Sequence, residues 1–567
     1  MAWLVVATAA LACGCTPEQY ARQADGAAYA VLEAGQRASL GRSQPFRVAY
    51  DPYAPRGASG PIRVGDKDIP VVGDAEPVTL TLDDCLGVAV RNSRSFQTRK
   101  EQLYAQALAL ANARRSWDLP LIGGPVEGAA SHEKTLGGTE TNAGSAEGEL
   151  DLTQRFAGGA VLALGVTLDF ATDFLGGSGT TAGSLLEANL SQPLLRGAWR
   201  GLAYEDQYRL ERDFLIAVFD YERFTQSFAV DIITAYYNVL QQRDQLANEA
   251  ANIERLTETL ALTRVQAEGG QVSRIQQDQA EQNLLDARVR YEQQRQRFEN
   301  TLDAFKIRLG LPVTAAVRLD YPDALRRLVA RGPRDVPVAE DQAIRVALAA
   351  RPDVLTQRAA LRDARRDVTI AADAFNPKLD IEVGIAAAGE PRRRFWTIRG
   401  DEHTRNVGVT FEYDLDQTDN RDAYRNAIIA REEAERDYQA FLDQVRLDVR
   451  QSYRSLMQSR RSYEIRVRNV GVAERRRKLA RLQQSQGMAS ARDVLEAEDA
   501  LRRAQDGLTS TLVEYTTTRL AFLARLGMIR VDEQGRIHER QQPETTERFR
   551  KRYADGSDDG AIAGDGS

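Results

Sequence analysis

One segment of this sequence occurs twice. Residues 270–310, shifted by 217 positions, fall on 487–527 without a gap. The identical pairs include Gly270/Gly487, Ser273/Ser490, Glu281/Glu498, Thr301/Thr518, Phe305/Phe522 and the closing Arg-Leu-Gly of 308–310 and 525–527. The front ends match more weakly at an offset of 259, and each front helix is predicted to stop at a proline, Pro120 or Pro377. The chain is therefore predicted to contain two copies of one structural unit.

Each copy has the same predicted order of elements. A helix (82–116 or 339–375) leads to a β region and then to a very long helix (200–268 or 418–484). A glycine-containing break and a return helix follow. The first long helix would span about 100 Å at 1.5 Å per residue. Its apolar residues keep a heptad spacing at Phe214, Val218, Tyr221, Phe228, Ile232 and Val239, so we expect it to pack on other long helices.

The β regions alternate apolar and polar residues with period two. In 160–170 the even positions are all apolar, and 184–192, 379–385 and 407–413 show the same alternation. Such strands fit a transmembrane barrel with a polar lumen, and they also fit a half-buried sheet in water. The first copy has 42 more residues than the second between matched ends. Residues 149–155, a turn at 157–159 and 160–170 are predicted to add a hairpin, either within the sheet or outside it.

The composition excludes several classes of function. The net charge is −6, with 75 basic and 81 acidic residues interspersed, so there is no basic surface for nucleic acid. No apolar run of eighteen residues lies beyond the N-terminus, so no membrane-spanning helix is expected. His132, His403 and His538 are predicted in loops or the tail without ligand or triad spacing, so we expect no enzyme, metal or cofactor.

The N-terminus is typical of an exported protein. The apolar segment Trp3 to Ala12 has the length of a signal-peptide core. Residues 11–15 resemble a bacterial lipobox, which makes Cys15 the expected lipidation site and Cys13 the alternative acceptor. Ala12, where a lipobox has leucine, and the lack of Lys or Arg before Trp3 are departures. An ordinary cleaved signal peptide is the other interpretation.

Over residues 80–529 the sequence resembles the TolC-like outer-membrane factor (outer membrane efflux protein) family. The resemblance rests on the proline-terminated front helices, Gln192-Pro-Leu-Leu195, the Gly-x-x-Ser tips and the Arg-Leu-Gly closures. It implies a mainly α fold of internally duplicated long α-hairpins. Three such chains would form a helical tunnel with a shared transmembrane β-barrel, and the family usually has two strands per repeat.

The resulting division of the chain has six parts. They are a signal peptide (1–14), a lipid-anchored tether (15–78) with a short helix at 17–40, repeat 1 (79–310, β segment 121–192), a linker (311–335), repeat 2 (336–529, β segment 378–414) and a disordered acidic tail (530–567).

The hairpin tips are the candidate functional residues. Ser273 with Gln276 and Ser490 with Asp493 have the capping-box pattern of helix starts. The resemblance makes Gly270, Ser273, Gly487 and Ser490 adaptor-docking positions. It makes Asp493 and Glu496 a ring of carboxylates at the tunnel entrance, although acids in a first helical turn also complement the helix dipole. The first copy has Gln276 and Gln279 there, and Gln484 and Ala489 stand at the family's latch positions, so the same latch is not expected.

The function implied is that of the passive outer-membrane exit duct of a tripartite efflux or type I secretion system. Its partners would be two further copies of the chain, a periplasmic adaptor, an inner-membrane pump and outer-membrane lipid. The helical part would lie in the periplasm of a diderm bacterium. The alternative is a periplasmic coiled-coil structural or adaptor protein without a channel.

Overall fold

The fold consists of two long α-hairpins packed side by side, with one antiparallel sheet continuing from them. A computed structural model describes residues 16–40, 43, 45–48, 62–64, 67–69, 76–115, 117, 122–134, 140–156, 158–173, 180–198, 200–336, 338–390, 394–486, 488–532 and 535–539. The predicted signal peptide, with Cys13 and Cys15, and the tail beyond 539 lie outside these residues. No helix in the described ranges is both long enough and apolar enough to cross a membrane.

The elements of the first half are α1 (Pro17–Leu40), β1 (Ile62–Val64), β2 (Lys67–Ile69), β3 (Val78–Leu80), α2 (Leu82–Asn92), α3 (Arg94–Arg115), β4 (Ile122–Lys134), β5 (Glu140–Arg155), β6 (Val161–Asp173), β7 (Thr180–Pro193), α4 (Arg200–Ala203), α5 (Glu205–Glu268) and α6 (Arg274–Arg308). Between the halves lie β8 (Val317–Leu319) and α7 (Asp323–Arg331). The second half has α8 (Glu340–Ala350), α9 (Pro352–Asp373), β9 (Lys378–Glu390), β10 (Arg394–Glu412), α10 (Thr418–Ser485), α11 (Ala491–Arg525), β11 (Ile529–Val531) and β12 (Ile537–Glu539).

The two halves repeat in structure as well as in sequence. The return helices α6 and α11 are both 35 residues long and start and end 217 positions apart. The same offset relates buried positions of α5 and α10, among them Phe228/Val445, Ile232/Val449, Val239/Leu456 and Leu256/Ala473. The front helices correspond at an offset of 258, one less than the sequence identities suggest.

The predicted long helices and the heptad seam are confirmed. α5 and α10 contain 64 and 68 residues, which is about 100 Å each at 1.5 Å per residue. Phe214, Val218, Phe228, Ile232 and Val239 on α5 are all less than 10% exposed. α5 packs against both α6 and α11, and α11 packs against α5 and α10, so the lateral order is α6–α5–α11–α10.

The front helices differ from the prediction because each is broken. Ser93 is extended (φ −66°, ψ 125°) and ends α2, and Arg351 takes the same conformation between α8 and α9. Pro352 explains the second break, because a proline disfavours helical backbone in the residue before it. Residues of α2 and α8, before the breaks, share one core with Tyr236 and Phe305.

The predicted linker and tether are more ordered than expected where the structure describes them. β8 pairs in parallel with β3, and Leu325 and Leu328 of α7 are buried against α11. Ile69 of β2 is fully buried, and α1 packs on α3 and α5 through Ala28, Val31 and Leu32. The start of the predicted tail forms the β11–β12 hairpin, where Glu539 pairs with Arg519 at 2.7 Å. Short apolar stretches therefore join the core on both sides of the repeats.

The strands form one six-stranded antiparallel sheet in the order β10–β9–β7–β6–β5–β4. The predicted hairpin is confirmed as β5–β6, with Arg155 opposite Val161, and it lies inside the sheet between β4 and β7. The first copy thus contributes four strands and the second contributes two. His132 lies in β4 and His403 in β10 rather than in loops, and His538 lies in β12.

The alternation predicted for the strands is present in the register. Leu162, Leu190, Val383 and Val407 are aligned across four neighbouring strands on one face. The exposed fractions are 74% for Val407 and 65% for Phe411, so this apolar face is uncovered in a single chain. Asn189, Gly384 and Asn406 are aligned on the opposite face, where a Cβ on Gly384 would lie 2.2 Å from the Asn406 Oδ1. In these four strands, β6, β7, β9 and β10, one face is apolar and the other is polar.

Candidate functional site

The candidate site is the end of the two α-hairpins farthest from the sheet. In the first tip α5 ends at Glu268, and Gly270 takes φ 70° with open space around the position of a Cβ. The Gln271 amide donates to the Gln266 carbonyl at 2.8 Å, which closes the helix end. The chain then turns into α6 at Ser273.

The capping box predicted for both tips forms in only one of them. Ser490 Oγ accepts from the Asp493 amide at 3.3 Å, and the Ser490 amide donates to the Asp493 Oδ2 at 2.9 Å. Ser273 is the N-cap of α6, but its side chain makes no capping bond, and the predicted return bond from Gln276 is absent. A carboxylate near a helix N-terminus gains from the helix dipole as well as from the hydrogen bond, whereas a neutral glutamine gains only the bond.

Both predicted gate carboxylates already have partners within the chain. The Ser490 hydroxyl and amide hydrogen bonds hold the pKa of Asp493 below its usual value, and Arg492 and Arg476 add to this effect. Glu496 forms ion pairs with Arg492 at 3.1 Å and Arg476 at 3.9 Å. This end of the hairpin therefore carries carboxylates and guanidinium groups together. Gln484 and Ala489, which replace the family's latch residues, lie on either side of Gly487, which is outside the described residues.

A buried ionic contact above the tips links the two hairpins. Glu498 on α11 is 1% exposed, and its carboxylate lies 2.9 Å from Arg255 on α5 and 2.7 Å from Arg481 on α10. Sequence reasoning noticed Glu498 only as the counterpart of Glu281. Its position among the buried Val494, Ala497 and Leu501 was the available signal, because a charge within an apolar seam needs a partner.

A second polar cluster lies on the same α5–α11 contact, nearer the sheet. Glu249 on α5 is 3% exposed and pairs with Arg290 on α6 at 3.2 Å and Arg502 on α11 at 3.4 Å. Asp244 accepts from the Thr509 hydroxyl at 2.8 Å, and Asn248 donates to Asp506 at 2.8 Å. Burial raises the pKa of both Asp244 and Asp506 despite these hydrogen bonds. Sequence reasoning did not identify this cluster.

The described residues offer no group of three histidine, cysteine, aspartate or glutamate side chains placed to hold a metal ion. Cys85 is buried among the apolar residues of the core. The polar clusters consist of ion pairs and hydrogen bonds between helices, and they join the two hairpins in a defined register.

Comparisons with known proteins agree with this architecture. Residues 343–527 match the family model described as "Outer membrane efflux protein". No curated protein matches the sequence. The structure is similar to the Campylobacter jejuni CmeC outer membrane channel, with a TM-score of 0.55, 16% identity and coverage of 91% of this chain and 98% of that one.

Two further outer-membrane proteins have the same fold. The Vibrio cholerae outer membrane protein VceC has a TM-score of 0.56 and 14% identity, with 79% of this chain and 96% of that one covered. The Neisseria gonorrhoeae MtrE outer membrane channel has a TM-score of 0.55 and 15% identity, with 83% and 96% covered. The second repeat thus matches the outer membrane efflux protein family over residues 343–527, and the chain as a whole has the fold of these outer-membrane proteins.

Proposed function

We propose that this protein is the outer-membrane exit duct of a tripartite efflux or secretion system, and that three copies form the conduit. The observation that carries the proposal is the continuity of two helical hairpins, about 100 Å long, with a sheet whose apolar face is uncovered. Transport would be passive, with energy supplied by an inner-membrane pump. The apolar face of the sheet would contact outer-membrane lipid, and the helices would lie in the periplasm.

The outer sides of the helical layer support self-association. α6 and α10 lie at the two ends of the order α6–α5–α11–α10, and each carries large apolar residues that the chain leaves exposed. On α6 these are Ile275 (77% exposed) and Val289 (56%), and on α10 they are Ile465 (66%) and Leu479 (55%). Within each pair the two residues are fourteen positions apart, which is two heptads, so each pair lies along one side of its helix.

The internal duplication predicts how these two faces would meet. Within the chain, Asn248 of α5 contacts Asp506 of α11, and Asp244 contacts Thr509. The α10 and α6 residues at the same places, 217 positions away, are Ile465 and Val289 for the first contact, and Arg461 and Glu292 for the second. If α10 of one copy packs on α6 of the next in this register, apolar residues meet apolar residues and Arg461 meets Glu292. Two heptads further towards the tip, Leu479 meets Ile275.

A repeated heterologous contact of this kind closes into a ring when three rotations complete one full turn. The α10–α6 contact between copies would alternate with the α5–α11 contact within copies, giving a tube with approximate six-fold packing. The tube would be built from twelve helices of three chains.

The tips are the proposed docking end for a periplasmic adaptor. The proposed docking residues are Gly270, Ser273, Gly487 and Ser490. Gly270 and Ser273 are exposed in the first turn, Ser490 starts α11, and Gly487 is outside the described residues. Asp493 and Glu496 are the proposed gate. Since both carboxylates have partners in one chain, their effect on ions would come from the sum of carboxylates and the arginines 476 and 492 around the ring.

Lipidation at Cys15, with Cys13 as the alternative, is also proposed from the lipobox-like sequence. The described chain starts at Thr16 and enters α1 at Pro17. An anchor at residue 15 would therefore be joined to a helix that packs on α3 and α5. Labelling with a radioactive fatty acid, lost in Cys15→Ala and kept in Cys13→Ala, tests this assignment.

Native mass spectrometry of the detergent-purified protein tests the assembly. We expect a trimer, and Ile465→Glu should shift the distribution to monomer because it places a charge opposite Val289. Glu464→Gln is the matched control. Glu464 immediately precedes Ile465 on α10 and is also exposed, and this variant should remain trimeric. A wild-type monomer, or a protein that is water-soluble without detergent, would instead support the periplasmic coiled-coil alternative.

A further inference from the structure

The six-stranded sheet ends in two long strands without outer neighbours. β4 has 13 residues and β10 has 19, and each is bonded to one strand only within the described part of the chain. Edge strands of this length expose a row of unpaired N–H and C=O groups and pair readily with another strand unless they are covered. The two edges therefore need partners in the assembled protein.

The β5–β6 hairpin is a full part of the sheet. β6 pairs with β5 from Ala143↔Asp173 to Arg155↔Val161, and with β7 from Val161↔Ser191 to Thr172↔Thr180. Its pairing is continuous on both sides, without the register shifts seen between β9 and β10. A hairpin folded outside the sheet would leave β4 next to β7, whereas here two whole strands separate them.

The directions of the edges allow closure by rotation. All neighbours in the sheet are antiparallel, and the number of strands is six, so β4 runs away from the helices and β10 returns towards them. A rotated copy can therefore place its β10 antiparallel to β4. The lateral order of the strands also agrees with that of the helices. β10 leads into α10 at one side of the molecule, and β7 leads towards α5. The strands β6, β5 and β4 follow β7 on the side away from β10.

We propose that three copies join β4 to the β10 of the next copy and form a closed sheet of eighteen strands. The proposal rests on the trimer of the proposed function and adds a specific geometry to it. If both repeats contributed two strands, the closed sheet would have twelve. Because diameter grows roughly linearly with strand number, eighteen strands make the lumen about 1.5 times as wide. Its surface would be the polar face with Asn189 and Asn406, which suits a hydrated and bulky cargo.

Electron cryomicroscopy of the full-length protein in lipid nanodiscs tests the inference. We expect three copies and eighteen strands around one lumen. A variant lacking 140–173 removes β5 and β6 and keeps residues 135–139 and 174–179 as the loop between β4 and β7. It should form a trimer with twelve strands and a narrower lumen.

The results that would contradict the eighteen-stranded sheet differ in whether they also contradict the proposed duct. A wild-type trimer with twelve strands in the closed sheet and β5–β6 outside it would overturn the inference and leave the duct intact. A wild-type trimer whose β4 and β10 edges stay unpaired would overturn it as well. A wild-type protein that forms no trimer would overturn both this inference and the proposed function. If the deletion variant does not fold, the strand count of the wild-type trimer still decides.

Discussion

Glu498 connects three helices through one buried carboxylate. It lies between Arg255 on α5 and Arg481 on α10, and its own helix is α11. A buried ion pair contributes little net free energy compared with apolar packing, but removal of one partner leaves an uncompensated charge. The contact is therefore expected to fix the register of the two hairpins more than to add stability.

Replacement of this carboxylate is the first prediction. Glu498→Gln leaves Arg255 and Arg481 without their buried counter-charge, and it should lower the free energy of unfolding by on the order of 3 kcal/mol. Glu254→Gln, an exposed glutamate beside Arg255, should change it by less than about 0.5 kcal/mol. Chemical denaturation followed by circular dichroism measures both. Equal effects of the two substitutions would contradict the assignment.

Asp244 should make stability depend on pH. Burial raises its pKa, and the hydrogen bonds from Thr509 and Tyr321 only partly oppose this effect. A carboxyl with a higher pKa in the folded than in the unfolded chain binds a proton on folding. Its contribution is therefore most favourable below the unfolded value of about 3.9 and is lost as pH rises through the folded value. Asp506 nearby has a raised pKa for the same first cause, burial.

Asp244→Asn should therefore raise the melting temperature at pH 7 and give a smaller gain at pH 4, because the amide carries no charge to desolvate. Thermal melts across this pH range measure the difference. Asp220→Asn, an exposed aspartate on the same helix, should show no such trend. A gain that is the same at both pH values would show that burial of the Asp244 charge is not the cause.

Identical residues in the two copies need not have identical surroundings. Glu281 and Glu498 align in the sequence, yet Glu281 is exposed and Glu498 is 1% exposed. The heptad pattern predicts which side of a helix packs within its own hairpin. It does not state which return helix lies between the hairpins, because that depends on how the two copies pack on each other. The ionic clusters at Glu498 and Glu249 were missed for this reason.

The two hairpin tips are similar elements with different chemistry. α11 starts with a formed capping box, whereas α6 starts at a serine whose side chain makes no capping bond. Asp493 therefore has a structural role as a cap, and the proposed gate adds a second role for the same charge. The two roles are separable by substitution.

Asp493→Asn keeps a carbonyl oxygen that can accept from the Ser490 amide and removes the charge. In reconstituted channels we expect the reversal potential in a salt gradient to shift towards anion selectivity, because Arg476 and Arg492 then outnumber the remaining carboxylate of each copy, and helix content should not change. Ser490→Ala should lower the helix content and leave the reversal potential unchanged, since it loses the hydroxyl of the cap and keeps the charge. If Asp493→Asn leaves the reversal potential unchanged, the carboxylate serves only as a helix cap.

The helices and strands could largely be predicted from the sequence, and the connections could not. The long helices follow from heptad spacing, and the β5–β6 hairpin follows from alternation around the 157–159 turn. The predicted linker contains β8 and α7, whose pairing with β3 and packing on α11 depend on partners far away in the chain. Three-residue strands of this kind have no local signal strong enough to be recognised.

At the scale of the whole molecule, two layers indicate the same assembly. The helical layer leaves α6 and α10 open, and the sheet leaves β4 and β10 open. In each layer the outer element from the second repeat, α10 or β10, lies on one side. The outer element from the first repeat, α6 or β4, lies on the other. A single rotation between copies can therefore pair α10 with α6 and β10 with β4 of the next copy. For this reason we favour a ring over a dimer or an open filament.

A charge exchange tests the predicted contact between copies. Arg461→Glu should weaken the trimer because it faces Glu292 of the neighbouring copy, and Glu292→Arg alone should do the same. The double variant should restore the trimer, since the pair is then reversed. Native mass spectrometry at low ionic strength measures the three cases. Without rescue in the double variant, the register transferred from α5–α11 would be wrong.

Three copies of this chain should make a conduit through a lipid bilayer. Single-channel recording of the purified full-length protein in a planar bilayer tests it most directly. We expect discrete conductance steps that come from the trimer fraction and are absent for Ile465→Glu. A protein that inserts no conducting species at any concentration, while remaining folded and helical, would contradict the duct and leave a periplasmic coiled-coil protein.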